Sequence, residues 1–151
     1  MLKIEYLKSI IMLSDLNDTM LKKMLKVTKK TNYSSGEYIF KEGEYADSLY
    51  SVIEGKVGLE LEKDTKTLIM INTITKGYSF GFSALVDVEQ KKYASHAKAL
   101  TDITLLKWSG ENLQKLFHKD FEMGYLLMKR IAKIAKKRLQ VRNLQLLEIY
   151  R

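Results

Sequence analysis

The segment from Gly77 to Val86 carries residue types that could hold a small anion. It reads Gly-Tyr-Ser-Phe-Gly-Phe-Ser-Ala-Leu-Val and follows a predicted strand, and its small residues between Ser79 and Leu85 favour a single turn of helix. Backbone N–H groups at the start of such a turn have no partner within it, so they can face an anion. The sequence therefore predicts a phosphate-binding turn in this segment.

A strand-rich region must position this turn. Three of its predicted tight turns contain a glycine: Gly36, Gly43 and Gly55. Tight turns often require a left-handed backbone, which glycine adopts most easily. Between about 33 and 108, short runs of β-forming residues alternate with polar or glycine-marked turns, and every second residue from Val57 to Leu61 is apolar, as in a half-buried strand. Many short strands at this spacing predict an all-β sandwich or barrel rather than a β-α-β fold.

Helical patterns flank the strand-rich region on both sides. Before it, apolar residues from Leu16 to Val27 recur at helical spacing, and Ser14 or Asp15 is predicted to cap their helix. After it, a short helix at about 111–117 is predicted to precede a long one that starts near Asp120 and contains no proline. We therefore expect a single domain over residues 1–151, with N-terminal helices in 1–32, a β-roll in 33–108 that includes the phosphate-binding segment 77–95, and C-terminal helices in 110–151.

The long C-terminal helix carries a stripe of apolar residues with heptad spacing, in which one residue, Arg142, is polar. A small domain cannot cover the second half of so long a helix. An exposed apolar stripe of this kind is usually buried against the same helix of a second copy. The sequence thus predicts a homodimer formed through this helix, and the alternative is a helix that wraps its own domain. The stripe consists of Met128, Ala132, Ala135, Leu139, Arg142, Leu146 and Ile149.

The formal net charge of +8 is concentrated on the same helix. A basic segment of this kind can contact nucleic acid, anionic lipid or an acidic partner, or it can be the solvated face of a structural helix. No element that could read bases is predicted to follow the helix, so we expect no specific DNA binding from this chain. Seven basic residues and no acid lie between Met123 and Leu147: Lys129, Arg130, Lys133, Lys136, Lys137, Arg138 and Arg142.

Several classes of function are excluded by composition and motif. The chain has no cysteine, which excludes disulfides, zinc fingers and cysteine catalysis, and its two histidines, His96 and His118, are too few for a cupin-like metal site. It has no nucleophile elbow, P-loop or dinucleotide fingerprint, so we expect a non-enzymatic protein. It also has no signal peptide and no apolar run near the ~20 residues of a membrane span, which predicts a cytoplasmic protein without a membrane partner.

The order of these residues resembles the cyclic-nucleotide-binding domain family, and in particular its stand-alone bacterial members. The resemblance covers about residues 16–146 and implies a mainly β fold with flanking helices: a β-roll or jelly roll plus a long C-terminal helix. It also implies a regulatory role in signal transduction. The matching residues are Gly36, Gly43, Asp47, Tyr50, Gly55 and Val57, followed by Gly81, Ala84 and Leu85.

The resemblance also implies a binding site, in which this chain departs from the family pattern. In the family, a glutamate of the phosphate-binding segment accepts a hydrogen bond from the ribose 2′-hydroxyl, and an arginine pairs with the cyclic phosphate. In this chain Phe82 and Tyr93 stand at those two positions, and Ala94 stands in place of a serine. Lys91, Lys92 or Lys98 could supply a replacement charge. The implied ligand-binding residues are Phe80, Gly81, Phe82, Ser83, Ala84, Leu85, Tyr93, Ala94 and Ser95.

Two functions follow from this non-standard pocket. The first is a ligand-sensing regulatory module that dimerises through its C-terminal helix and acts on a protein effector. No cofactor follows from the residues themselves, and the candidate ligand is a cyclic nucleotide or another small anion. The alternative is a docking or dimerisation protein with a degenerate pocket that binds no nucleotide.

Overall fold

Two four-stranded antiparallel sheets, with helices at both ends of the chain, make up the computed structural model, which describes residues 2–151. Met1, the first residue of the predicted N-terminal helical region, lies outside the described residues. The strand order is β1-β8-β3-β6 in one sheet and β2-β7-β4-β5 in the other. This arrangement confirms the predicted mainly β fold with flanking helices.

The elements follow one another in the order helices, strands, helices. Short 3₁₀ turns at Ile11–Leu13 and Phe82–Ala84 lie between them. The elements are α1 (Ile4–Lys8), α2 (Asp18–Lys26), β1 (Lys29–Tyr33), β2 (Tyr38–Phe40), β3 (Ser48–Glu54), β4 (Val57–Asp64), β5 (Thr67–Ile74), β6 (Ser79–Phe80), β7 (His96–Ala99), β8 (Ile103–Ser109), α3 (Gly110–Lys119) and α4 (Phe121–Ile149).

Strand β8 separates two hydrophobic cores. Ile103 and Leu105 point into the roll between the sheets, whereas Leu106 and Trp108 point to the helices on the other side. Because Trp108 is fully buried, its indole N–H needs an acceptor, and Nε1 donates to Oγ1 of Thr28 at 2.7 Å. The helices therefore pack against the outer face of β8 through a second hydrophobic core, separate from the one inside the roll.

The N-terminal region differs from the prediction at both of its boundaries. Asn17, rather than Ser14 or Asp15, caps α2: its Oδ1 accepts from the N–H of Met20 at 2.9 Å. Ser14 ends the preceding 3₁₀ turn, and Asp15 instead pairs with a residue of α4. Strand β1 begins at Lys29 rather than near residue 33, since its polar sequence suits an exposed edge strand that gave no apolar signal.

Strand β4 breaks the predicted alternation of buried and exposed residues. The pairing with β5 slips between Leu59 and Glu60, where Ile71 is an extra residue on β5. Leu61 is 36% exposed, and the residues after it up to Asp64 are exposed too, whereas Glu60 is 9% exposed and accepts a hydrogen bond from the Tyr38 hydroxyl at 3.1 Å. The period-2 prediction was therefore wrong at these two positions.

Helix α4 is the long helix that the sequence predicts, at 29 residues. Asp120 caps it by accepting from the N–H of Met123 at 3.1 Å. Leu127 and Ile131 bury its first half against the helical core, whereas every residue beyond Arg138 is exposed. In residues 2–151, no helix combines the length and apolar composition of a bilayer-crossing segment.

Removal of a core side chain on β8 should show how strongly the fold depends on this strand. Leu106→Ala is expected to lower the free energy of unfolding by about 2–5 kcal/mol, because it leaves a cavity in the helix-facing core. Urea denaturation followed by circular dichroism measures the change. The control Val88→Ala alters a side chain that is 96% exposed and should change stability by less than about 0.5 kcal/mol. Equal effects of the two substitutions would contradict this packing.

Candidate functional site

The predicted phosphate-binding turn is a 3₁₀ turn entered through a left-handed glycine. Gly81 has φ of 85° and precedes the turn Phe82–Ala84. A Cβ at Gly81 would lie 3.1 Å from the carbonyl oxygen of Ser48, so glycine is needed here for both conformation and space. The turn therefore lies directly against the first residue of β3.

A cavity of about 180 Å³ lies between this turn and the segment that follows residue 92. Six of the nine predicted site residues line it. The other three lie in the cores: Phe80 is fully buried inside the roll, and Ala84 and Leu85 pack in the helix-facing core. These three position the turn. The lining consists of Phe40, Leu59, Gly81, Phe82, Ser83, Tyr93, Ala94, Ser95 and Arg138.

Tyr93 holds the cavity wall in place. Its ring stacks on Phe40 with centroids 3.6 Å apart, and its hydroxyl donates to the carbonyl of Ser48 at 2.6 Å and accepts from the N–H of Ser48 at 3.1 Å. Burial raises the pKa of Tyr93 to about 12, so the side chain is neutral at ordinary pH. Tyr93 thus supplies a rigid wall and no charge.

The charge in this cavity comes from helix α4. Arg138 reaches across to the turn, where Nη2 donates to the carbonyl of Ser79 at 2.8 Å and the guanidinium carbon lies 5.3 Å from the centroid of the Phe82 ring. Its partial burial lowers the pKa of the guanidinium from its usual range, and arginine nevertheless stays protonated. A positive group therefore faces the cavity, although none follows from the cassette sequence.

Sequence reasoning placed Arg138 only among the basic residues of α4. A signal was nevertheless present, because Ile131, Ile134 and position 138 are spaced by three and four residues along the inner face of the helix. The lysines suggested as replacement charges do not line the cavity: Lys91 and Lys98 each lie over a tyrosine ring on the roll surface. Within residues 2–151, no three histidine or acidic side chains cluster as metal ligands.

Loss of the Tyr93 hydroxyl should destabilise the fold. Tyr93→Phe keeps the stack on Phe40 but leaves both backbone groups of Ser48 unpaired, so we expect a loss of about 1–3 kcal/mol in unfolding free energy at pH 7. Tyr45→Phe is the control, since Tyr45 is 67% exposed and should change stability little. Denaturant titration of both variants measures the difference, and equal stabilities would contradict the role of the hydroxyl.

The same variant should change the response to alkali. The pKa of Tyr93 is raised in the folded state above the ordinary value of about 10, so its stabilising contribution is present below pH 10 and is lost as pH rises towards 12. Burial also raises the pKa of Tyr50. Unfolding free energy should therefore fall above pH 10 in the wild type and fall less steeply in Tyr93→Phe. Identical slopes would contradict this assignment.

Comparison with known proteins identifies relatives in sequence. The family model described as the cyclic nucleotide-binding domain matches residues 30–120. A cGMP-dependent protein kinase of Drosophila melanogaster, isozyme 2 forms cD5/T2, is 33% identical over 82 residues, which are 54% of this chain and 9% of the kinase. The chain thus corresponds to a small part of that relative.

Solved structures share the fold over nearly the whole chain. A protein from Geobacter metallireducens GS-15, described as cyclic nucleotide-binding, superimposes with a TM-score of 0.79 at 26% identity, covering 92% of this chain and 99% of that one. The regulatory subunit of a cAMP-independent protein kinase A from Trypanosoma brucei gives 0.78 at 17% identity, covering 95% and 50%. With the family model matching more than half of its residues, this chain belongs to the cyclic nucleotide-binding domain family.

Proposed function

We propose that the chain is a ligand-sensing regulatory module whose pocket is non-standard for its family and which dimerises through α4. One observation carries the proposal: the turn after Gly81 and the segment Tyr93–Ser95 face each other across a single cavity. These are the two segments that hold the ligand in the family. A sensor acts on another molecule, so the proposal includes a protein effector. The proposed site of action is the cytoplasm.

Affinity for cyclic nucleotides is expected to be low. An arginine–phosphate pair is charge-assisted and often bidentate, and its loss costs ~2–3 kcal/mol, or roughly 30- to 150-fold in affinity. Phe82 and Tyr93 cannot replace the family's glutamate and arginine, because neither side chain is charged. Proteins similar to this chain are themselves named differently, one as a cGMP-dependent protein kinase and another as the regulatory subunit of a cAMP-independent protein kinase A.

Calorimetric titration of the wild type with cyclic AMP and cyclic GMP tests the non-standard pocket. We expect dissociation constants weaker than micromolar, because the family's two charged contacts are missing. Binding at micromolar concentration or tighter would show that the departures at Phe82 and Tyr93 are tolerated, and would overturn this part of the proposal. Adenosine serves as the uncharged control.

The size of the cavity favours the alternative function, a docking or dimerisation protein whose pocket binds no nucleotide. Small-molecule sites commonly measure ~300–1,000 Å³, and this cavity of about 180 Å³ is smaller. On this alternative, Arg138 and the aromatic side chains fill a site that has lost its ligand. No heat of binding with either nucleotide at millimolar concentration would favour it over the sensor.

The exposed stripe of α4 supports the proposed dimer. Ala132 and Ala135 are small enough to let two helices approach closely, and Leu139 beyond them is exposed. Arg142 is the one polar residue of the stripe. Its side chain turns to the β-roll of the same chain, where Nη2 donates to the carbonyl of Ile71 at 2.8 Å. The remaining residues of the stripe are apolar and are left for a twin helix.

Two of the basic residues of α4 lie on the side of the helix opposite the stripe. Lys133 and Lys137 each lie about 160° round the helix from Ala135, at 3.6 residues per turn. Two copies that meet along the stripe would therefore keep these lysines apart and in water. Such an arrangement avoids the repulsion between like charges that pairing along the basic face would produce.

A charge placed in the stripe should separate the two copies. Leu139→Glu is expected to convert a dimer into a monomer in sedimentation equilibrium at micromolar concentration, because it buries a carboxylate in an apolar seam. Leu144→Glu is the matched control: Leu144 is 65% exposed and Leu139 59%, and the two lie about 140° apart round the helix. The control should remain dimeric. A monomeric wild type, or equal dissociation of both variants, would contradict the proposed interface.

A further inference from the structure

Arg138 differs from Arg130, which α4 also directs towards its own domain. About two turns earlier, Arg130 pairs bidentately with Asp15, its Nε and Nη2 donating at 2.9 and 2.8 Å. Arg138 is also partly buried, but its acceptor is the neutral carbonyl of Ser79, and in the part of the chain that the structure describes no carboxylate lies within 4.0 Å of it. Its charge is thus not neutralised within the chain.

This environment favours the arrival of an anion. A guanidinium has five donors in a planar fork, and the contact to Ser79 uses one of them. The Phe82 ring below Arg138 offers a weaker attraction than a carboxylate or phosphate would. Because a partly buried charge without a counterion is costly, an anion that reached Arg138 would gain more than one at an exposed arginine.

Arg138 also forms the shared wall of two cavities. On one side is the cavity of about 180 Å³ at the 3₁₀ turn, and on the other is a groove of about 270 Å³ between α4 and the N-terminal region. Arg138 is the residue that lines both, so a group bound at its guanidinium borders both spaces. The groove is lined by Ile11, Tyr78, Arg130, Lys133, Ile134, Lys137 and Arg138.

We propose that Arg138 is the anion-binding residue of this pocket and takes the phosphate or carboxylate group of a small organic ligand. The anion replaces the Ser79 carbonyl as the partner of the guanidinium, and the hydroxyl-bearing side chains of Ser83 and Ser95 line the same cavity. The rest of the ligand lies in the adjoining groove, beside Tyr78. This inference rests on the proposed sensor function and specifies the chemistry of its ligand.

Calorimetry with cyclic AMP as the anionic probe and adenosine as its neutral counterpart tests the proposal in the full chain. The wild type should bind cyclic AMP more tightly than adenosine, and Arg138→Gln should lose at least tenfold in affinity for cyclic AMP while its affinity for adenosine stays unchanged. Arg142→Gln is the matched control, since Arg142 makes the same kind of bond to a backbone carbonyl one turn later and lines neither cavity. It should stay within twofold of the wild type.

The outcomes separate the two proposals. If the wild type binds cyclic AMP and Arg138→Gln binds it equally well, the role of Arg138 is wrong and the sensor function stands. If the wild type binds neither cyclic AMP nor inorganic phosphate at millimolar concentration, the sensor function fails and the role of Arg138 fails with it.

A competition experiment needs no substitution and covers the case in which Arg138→Gln does not fold. Inorganic phosphate should displace cyclic AMP from the wild type, because both anions require the same guanidinium. An uncharged osmolyte at equal concentration is the control and should leave binding unchanged. Binding of cyclic AMP that is insensitive to phosphate would overturn the assignment.

Discussion

Strand β3 buries both of its faces, and the two walls of the candidate pocket are attached to it. Its first residue, Ser48, accepts and donates the hydrogen bonds of the Tyr93 hydroxyl. Further along β3, Tyr50 and Ser51 pair with β6, the short strand that leads into the 3₁₀ turn. The hydroxyls of Ser51 and Ser79 lie 2.6 Å apart. Because β3 lies between two cores, both walls are attached to a buried strand. Backbone pairing and the Tyr93 hydroxyl thus determine the shape of the candidate pocket.

Tyr93 is embedded in this packing. Tyr93 belongs to an aromatic cluster inside the roll, in which Phe40 stacks on Tyr93 and Tyr50 stacks on Phe80 with centroids 5.3 Å apart. An arginine at position 93 would remove one ring of the cluster and both bonds to Ser48. Tyr93 thus has a structural role in this cluster.

Features that depend on neighbouring residues could be predicted from the sequence, and features that depend on distant ones could not. Gly36, Gly43 and Gly55 were expected at left-handed corners and have φ near 90°, because a tight turn is a local requirement. The bulge at Ile71 of β5 depends on pairing with β4 across the sheet, which leaves no mark in the sequence of either strand. The position of Arg138 depends on the rotation of α4 about its axis, which its packing on the N-terminal region determines.

The burial of Trp108 has a consequence for spectroscopy. It is the only tryptophan in the chain, so intrinsic fluorescence excited at the indole band comes from one known position. That indole is fully buried, bonded to Thr28, and packed in the same core as Ala84 and Leu85 of the 3₁₀ turn. Its emission wavelength reports the polarity of the space between the roll and the helices. The chain therefore contains its own optical probe, located behind the candidate pocket and needing no label.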